Sequence, residues 1–147
     1  MTDGLVGADA LARRCAESMY ERDLASRSLG IQIADVGPGR ATATMTIGAT
    51  MVNGHDIAHG GYVFLLADTA FAFACNTYGA VTVAAGADVT FVTSARLGDE
   101  LVAEAVERGR FGRSGLYDVT VRRRSDGAVV AEFRGRSREL DRPLLDD

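Results

Sequence analysis

Hydrophobic residues follow three different patterns along this chain. Residues 8–22 place apolar side chains at helical spacing with arginine and glutamate between them, which predicts an amphipathic helix. Residues 61–75 are apolar on every helical face, which predicts a buried helix. The segments between and after these helices are β-rich and partly alternating, which is typical of strands.

The predicted strands divide into a pair before the buried helix and a group of four after it. Residues 29–36 and 40–47 flank the turn signal Gly37-Pro38-Gly39, which predicts a hairpin. An irregular polar stretch, residues 48–59, leads into the buried helix. The later strands are 81–92, 100–110, 115–124 and 128–140. This order predicts an α+β fold, in which a curved antiparallel sheet with a four-strand meander holds the buried helix and the first helix packs on a sheet edge.

Composition narrows the class of protein. The 147 residues predict one domain, 1–147. A net charge of -4 disfavours nucleic acid and anionic membranes as partners. All 16 basic residues are arginine, so lysine-based chemistry is excluded. The chain contains no long uncharged apolar run, and acids and arginines interrupt its start, so we expect a cytoplasmic protein with Cys15 and Cys75 as free thiols.

One carboxylate, Asp68, lies in the middle of the predicted buried helix. Burying a charged carboxylate costs several kcal/mol unless it is paired, neutralised or open to a cleft. Perturbed acids are enriched at functional sites. Asp68 is therefore the first candidate for chemistry, and a structural role, capping a neighbouring loop or pairing with an arginine, is the alternative.

The segment 59–76, HGGYVFLLADTAFAFACN, carries the signatures His-Gly-Gly and Ala-Asp-Thr-Ala and follows an Asn-Gly pair. Together with VAAGADVTFVTSARLGDELVAEA and GRFGRSGLYDVTV, it resembles the hotdog-fold acyl-CoA thioesterases, specifically the phenylacetate-degradation (PaaI-type) branch. The resemblance spans most of the chain. It implies a hotdog fold and hydrolysis of acyl-CoA, with aromatic acyl groups such as phenylacetyl derivatives. This hydrolysis requires no cofactor.

The same resemblance suggests roles for particular residues. The backbone N–H of Gly60 would bind the thioester oxygen, Gly61 would lie against the substrate, and Asp68 would act as nucleophile or as general base. Asn53 would orient water or substrate, although Asn-Gly is also a common turn. His59 is expected to hold the loop before the glycines through its side chain.

The spacing of Gly60 and Asp68 bears on assembly. Eight helical residues at about 1.5 Å each separate them by roughly 12 Å, so one carbonyl cannot touch both. If both act on one thioester, they come from different subunits with antiparallel central helices, and the site lies at a dimer interface. The family resemblance implies a tetramer of two such dimers.

Several further assignments are less specific. Arginine suits phosphate, and Arg113 with Ser114 is a candidate coenzyme A contact, as are Arg96 and Arg110. Thr69 is expected to bond the preceding helical turn. His55 and His59 are four residues apart but lack further ligands, so no metal is expected.

Two other functions remain open at this point. A hotdog dehydratase or hydratase would use His59 with Asp68 across the dimer. A non-catalytic acyl-CoA-binding domain would use the same pocket without turnover. Asp68 and the Gly-Gly context favour hydrolysis over both.

Overall fold

A six-stranded sheet dominates the computed structural model, which describes the backbone of residues 2–146 and the side chains from residue 7. The strands are β1 (Gln32–Gly37), β2 (Arg40–Thr46), β3 (Ala80–Phe91), β4 (Glu100–Phe111), β5 (Ser114–Arg123) and β6 (Val129–Pro143). Their order across the sheet is β1-β2-β4-β5-β6-β3, and every neighbouring pair is antiparallel. β1 and β3 are therefore the two edges of the sheet.

The expected meander is wrong for its first strand. β4, β5 and β6 follow one another across the sheet, but β3 pairs with β6 and not with β4. The side of β4 where β3 was expected is occupied by β2, which pairs with it from Arg40↔Val106 to Thr46↔Glu100. The chain between β2 and β3 contains the buried helix, and it carries β3 to the far edge.

The buried helix, α3, spans Gly60–Cys75 and packs on one face of the sheet. β2 and β4 present alternating small residues to it, since Ala41, Ala43, Ala103 and Ala105 are at most 2% exposed. These short side chains allow close approach of the helix. Larger rings fill the space further along, where the ring centroid of Phe71 lies 5.6 Å from that of Tyr117 and 5.8 Å from that of Phe133. The predicted burial of this helix against the sheet is confirmed.

Gly135 of β6 lies directly under α3. A methyl group added there would stand 2.7 Å from Cε1 and 2.8 Å from Cδ1 of Phe71. Since Phe71 is only 1% exposed, its ring has no free space to enter. We expect Gly135→Ala to lower the free energy of unfolding by about 1–3 kcal/mol through overpacking, measured as a lower midpoint of urea denaturation.

Gly48→Ala is the matched control for this prediction. Gly48 has φ -92°, which any residue adopts, and nothing lies within 4 Å of an added methyl group. Its substitution should leave stability unchanged or slightly raised, because alanine restricts the unfolded chain. Equal denaturation midpoints for the two variants would contradict the packing argument.

The N-terminal amphipathic helix is present as α1, Thr2–Arg22, and packs against the edge strand β1 as expected. A short helix that the sequence patterns did not predict, α2 (Leu24–Ser28), follows it, with Asp23 as its N-cap. None of the helices within residues 2–146 combines the length and apolar character that crossing a bilayer requires.

Candidate active site

The start of α3 borders a cavity that Gly60 lines. His59 is the N-cap: its Nδ1 accepts a hydrogen bond from Gly61 N–H at 2.9 Å. His59 also donates its backbone N–H to Met51 O at 2.7 Å, which holds the preceding loop. The N–H of Gly60 has no acceptor among the described residues. An unpaired donor at the positive end of a helix is suited to binding a developing negative charge.

Asn53 is engaged in the loop that precedes α3. Its Oδ1 accepts a hydrogen bond from His55 N–H at 2.9 Å and lies 3.4 Å from Ile57 N. The turn interpretation of this residue therefore applies to its carbonyl oxygen. Its amide nitrogen, Nδ2, has no acceptor within the described part of the chain, and Asn53 lines the same cavity as Gly60. One half of the side chain is structural, and the other half is available to a ligand.

One face of α3 is not covered by the sheet. Gly61, Phe64, Leu65, Asp68 and Ala72 all keep some solvent exposure. Their spacing of three and four residues places them on one stripe of the helix. Asp68 lies in the middle of this stripe, between apolar neighbours one turn away on each side. The helix is therefore buried on its sheet side and open on the side that carries the carboxylate.

Asp68 is desolvated without being paired. Burial raises the pKa of its carboxyl above the usual value, because the charged form loses hydration. Its carboxylate makes no hydrogen bond or ion pair with any residue from 7 to 146. The structural alternative, a loop cap or an ion pair with an arginine, thus finds no support among the described residues. A partly dry, unpaired carboxylate is a stronger base than one in bulk water.

The neighbouring Thr69 differs from expectation. Its Oγ1 lies 3.0 Å from Ser26 Oγ, which donates to Asp23 Oδ2 at 2.7 Å. The hydroxyl therefore joins α2 to α3, where a bond to the preceding helical turn was expected. α2 was not predicted, so this partner could not be found from local sequence. The contact fixes the helix one residue beyond Asp68.

Within one chain, the candidate coenzyme A contacts Arg113 and Ser114 lie far from Gly60. Arg113 and Ser114 lie exposed at the β4–β5 turn and border a small depression shared with Cys75, at the C-terminal end of α3. Fifteen helical residues put that end roughly 22 Å from Gly60. Arg110, an alternative candidate, stacks its guanidinium 3.8 Å from the ring centroid of Tyr78.

Phe91 is a residue at the site that sequence patterns did not single out. It ends β3, and the tip of its ring faces Gly60, so that a methyl group on Gly60 would stand 2.9 Å from Phe91 Cζ. The two residues are 31 positions apart, and no local signal in the sequence relates them. Within residues 7–146, no group of three or more His, Cys, Asp and Glu side chains is placed to hold a metal ion.

The fold and this site together define a hotdog-fold thioesterase: a curved antiparallel sheet around a central helix that starts at an unpaired glycine N–H. The family model of the thioesterase superfamily matches residues 55–130, and the chain belongs to this superfamily. The expected fold class and the expected thioester hydrolase class are both confirmed.

A particular relative narrows the family further. The chain is 42% identical over 125 residues to the acyl-coenzyme A thioesterase PaaI of Escherichia coli (strain K12), covering 85% of this chain and 89% of that protein. The solved structure of E. coli PaaI, from the phenylacetic acid degradation operon, superposes with a TM-score of 0.89 at 39% identity and covers 92% of this chain and 97% of that one. The expected membership of the PaaI-type branch is confirmed.

Two further solved structures share the fold. A mutant of the phenylacetic acid degradation protein PaaI from Thermus thermophilus is 33% identical with a TM-score of 0.75, covering 78% of this chain and 97% of that one. A Streptococcus mutans protein bound to acetyl CoA is 22% identical with a TM-score of 0.71, covering 75% and 88%. At that identity the second match shows the fold alone.

Proposed function

We propose that this protein hydrolyses acyl-CoA thioesters to a free acid and coenzyme A, with aromatic acyl groups such as phenylacetyl as its substrates. The observation that carries the proposal is the unpaired Gly60 N–H, which lines a cavity at the positive end of α3. The name of the E. coli relative supports acyl-CoA as the substrate class. Its operon, named with the solved structure, supports the aromatic acyl group.

The proposed reaction uses two groups of the protein. The thioester oxygen accepts a hydrogen bond from Gly60 N–H, which stabilises the negative charge that forms when the carbonyl carbon is attacked. Asp68 acts either as a general base, taking a proton from the attacking water, or as the nucleophile, forming an anhydride that water then opens. In both routes the C–S bond breaks, coenzyme A leaves as a thiolate and takes up a proton, and the acid is released.

A second copy of the chain completes this site in the proposal. Gly60 and Asp68 lie roughly 12 Å apart along one helix, so the carbonyl held by one Gly60 needs a carboxylate from elsewhere. The stripe around Asp68 is uncovered, and β3 is an open edge of the sheet. Two copies with antiparallel α3 helices side by side would cover both stripes and form two sites per dimer. Two such dimers would give the tetramer that the family resemblance implies.

The antiparallel arrangement also gives Arg113 and Ser114 a place in the proposal. They lie at the C-terminal end of their own α3. In the dimer that end approaches the start of the partner's α3, so these residues would contact the coenzyme A of the partner's site. Arginine binds phosphate through several N–H groups at once. The remaining candidates act locally: Asn53 Nδ2 orients water or substrate, His59 holds the helix start, and Gly61 leaves room for the thioester.

The location of the protein follows from the same proposal. Cys15 and Cys75 are buried free thiols, as is usual in reducing compartments. Together with a coenzyme A ester as substrate, this supports the cytoplasm as the place of the reaction.

The test is release of free coenzyme A thiol from a panel of acyl-CoAs: phenylacetyl, hydroxyphenylacetyl, acetyl, hexanoyl and palmitoyl. We expect turnover, with the highest kcat/KM on the aromatic esters. Turnover that favours an aliphatic ester would support thioester hydrolysis but exclude aromatic acyl groups as the preferred substrates. Two added measurements distinguish the alternatives. Calorimetric binding of an acyl-CoA without turnover would favour the acyl-CoA-binding domain. Loss of the double bond of an added enoyl-CoA, by hydration, would favour the hydratase.

A further inference from the structure

The cavity beside Gly60 has a closed apolar end and an open lip. Its volume is about 380 Å³. Val63, Ala95 and Val130 form its buried end and are at most 2% exposed. Phe91 and Val92 form the lip and are 54% and 55% exposed. Asn53, Thr93 and Ser94 also line the cavity, so a ligand bound at Gly60 would lie among apolar and uncharged polar groups.

The ring of Phe91 lies against Gly60. A methyl group built on Gly60 would lie 2.9 Å from Cζ and 3.3 Å from both Cε1 and Cε2 of Phe91, so the ring points its tip at the glycine Cα. Within one chain Phe91 is more than half exposed, so the packing of this chain alone leaves one side of the ring open. A group that enters the cavity must therefore contact this ring or displace it.

The chemistry of the lining distinguishes which part of an acyl-CoA the cavity suits. No charged side chain lines it. The coenzyme A nucleotide carries phosphates that require cationic or N–H partners, so it does not fit this space. The volume lies near the lower end of the range of about 300–1,000 Å³ for small-molecule pockets, which suits one compact apolar group. The uncharged pantetheine arm is a long extended chain, so of the two uncharged parts attached to the thioester sulfur and carbonyl, the compact acyl group fits this volume.

We infer that Phe91 selects the acyl group, because its ring forms the lip of the acyl cavity and packs edge-to-face against an aromatic ring bound there. The inference rests on the proposed hydrolysis for the identity of the substrate. Edge-to-face packing adds to the apolar contact only when the ligand itself carries a ring. An aliphatic acyl group of similar size receives the apolar contact alone, so Phe91 favours compact aromatic esters over aliphatic ones.

The test compares wild type, Phe91→Leu and Phe91→Ala on phenylacetyl-CoA and hexanoyl-CoA. Leucine keeps an apolar side chain at the lip but removes the ring. We expect the ratio of kcat/KM for the aromatic over the aliphatic ester to fall about twofold to tenfold in Phe91→Leu. Phe111→Ala is the matched control, since Phe111 is also exposed, at 69%, but lies outside the cavity. Its ratio should equal that of wild type.

A second measurement makes the result independent of hydrolysis. Calorimetry gives the affinities of the stable thioethers S-(2-phenylethyl)-CoA and S-hexyl-CoA for the same variants. If wild type hydrolyses no acyl-CoA but its aromatic preference in binding falls in Phe91→Leu, the inference holds and the proposed hydrolysis fails. Unchanged ratios in both Phe91 variants, by turnover or by binding, would overturn the inference and leave the hydrolysis proposal intact.

Discussion

Asp68→Asn is expected to lower kcat for acyl-CoA hydrolysis by about 10²–10⁴-fold, the range for loss of a general base. Asparagine has nearly the same shape, but its amide neither accepts a proton from water nor attacks a carbonyl. The carboxylate has no hydrogen-bond or ion-pair partner among the described residues, so the substitution breaks no internal contact. Affinity for the stable thioether S-(2-phenylethyl)-CoA should change little, which calorimetry measures beside steady-state kinetics.

Stability provides the control for this variant. The pKa of Asp68 is raised in the folded chain by burial, so folding disfavours its charged form. The stability contributed by such a group is present below its unfolded pKa and lost as pH rises through the folded pKa. At pH 7 the ionised carboxylate therefore lowers stability, and Asp68→Asn should unfold at a denaturant concentration no lower than wild type. Retained turnover in this folded variant would remove Asp68 from the mechanism.

The same carboxylate sets an expected pH dependence. Whether it acts as base or nucleophile, it must be ionised, so kcat/KM in wild type should fall as pH falls through the raised pKa of Asp68. The acid limb of the profile should therefore lie above the usual pKa of an aspartic acid. A pH–rate profile on phenylacetyl-CoA measures it. If the acid limb reports a pKa at or below the ordinary aspartate range, the group that controls the rate lies outside this desolvated site.

Local patterns in the sequence predicted the elements well because each pattern is complete within its own segment. The apolar run of residues 61–75 corresponds to α3, Gly60–Cys75, and the Gly37-Pro38-Gly39 signal lies between β1 and β2. The placement of β3 was not predicted. The neighbour of β4 is decided by pairing across the sheet and not by any single segment. β2 takes that position through a register with β4 that no short segment encodes.

The candidate site shows the same division. Asp68 could be proposed as a candidate from sequence because a lone carboxylate in an apolar helix is unusual by itself. The contact of Phe91 with Gly60 and that of Thr69 with Ser26 join distant segments, and the partners carry no matching signal in the sequence. The exposed side of α3 was also hidden, because apart from Asp68 the residues of its stripe are as apolar as those that face the sheet. Only the packing of the sheet distinguishes the two sides.

The Gly60 N–H can be removed with little change to the helix. Gly60 is the first residue of α3, a position that tolerates proline, and His59 has φ -62° and ψ 133°, the extended conformation favoured before proline. We expect Gly60→Pro to lower kcat by about 10²–10³-fold, as loss of one oxyanion donor does elsewhere. Gly60→Ala keeps the N–H and adds a similar steric contact with Phe91, so it should retain most of the wild-type kcat. Equal losses in the two variants would assign the effect to sterics.

Mixing the two defective proteins tests where each group of the site comes from. When equal amounts of Asp68→Asn and Gly60→Pro subunits reassort at random, about half of the dimers are mixed. If each site combines Gly60 of one chain with Asp68 of the other, one of the two sites in a mixed dimer is intact, and about a quarter of wild-type activity returns. Neither parent chain carries both groups, so this recovery requires sites shared between chains. If mass spectrometry shows mixed dimers but no activity returns, both groups of a site belong to one chain, and the antiparallel arrangement of the helices is wrong.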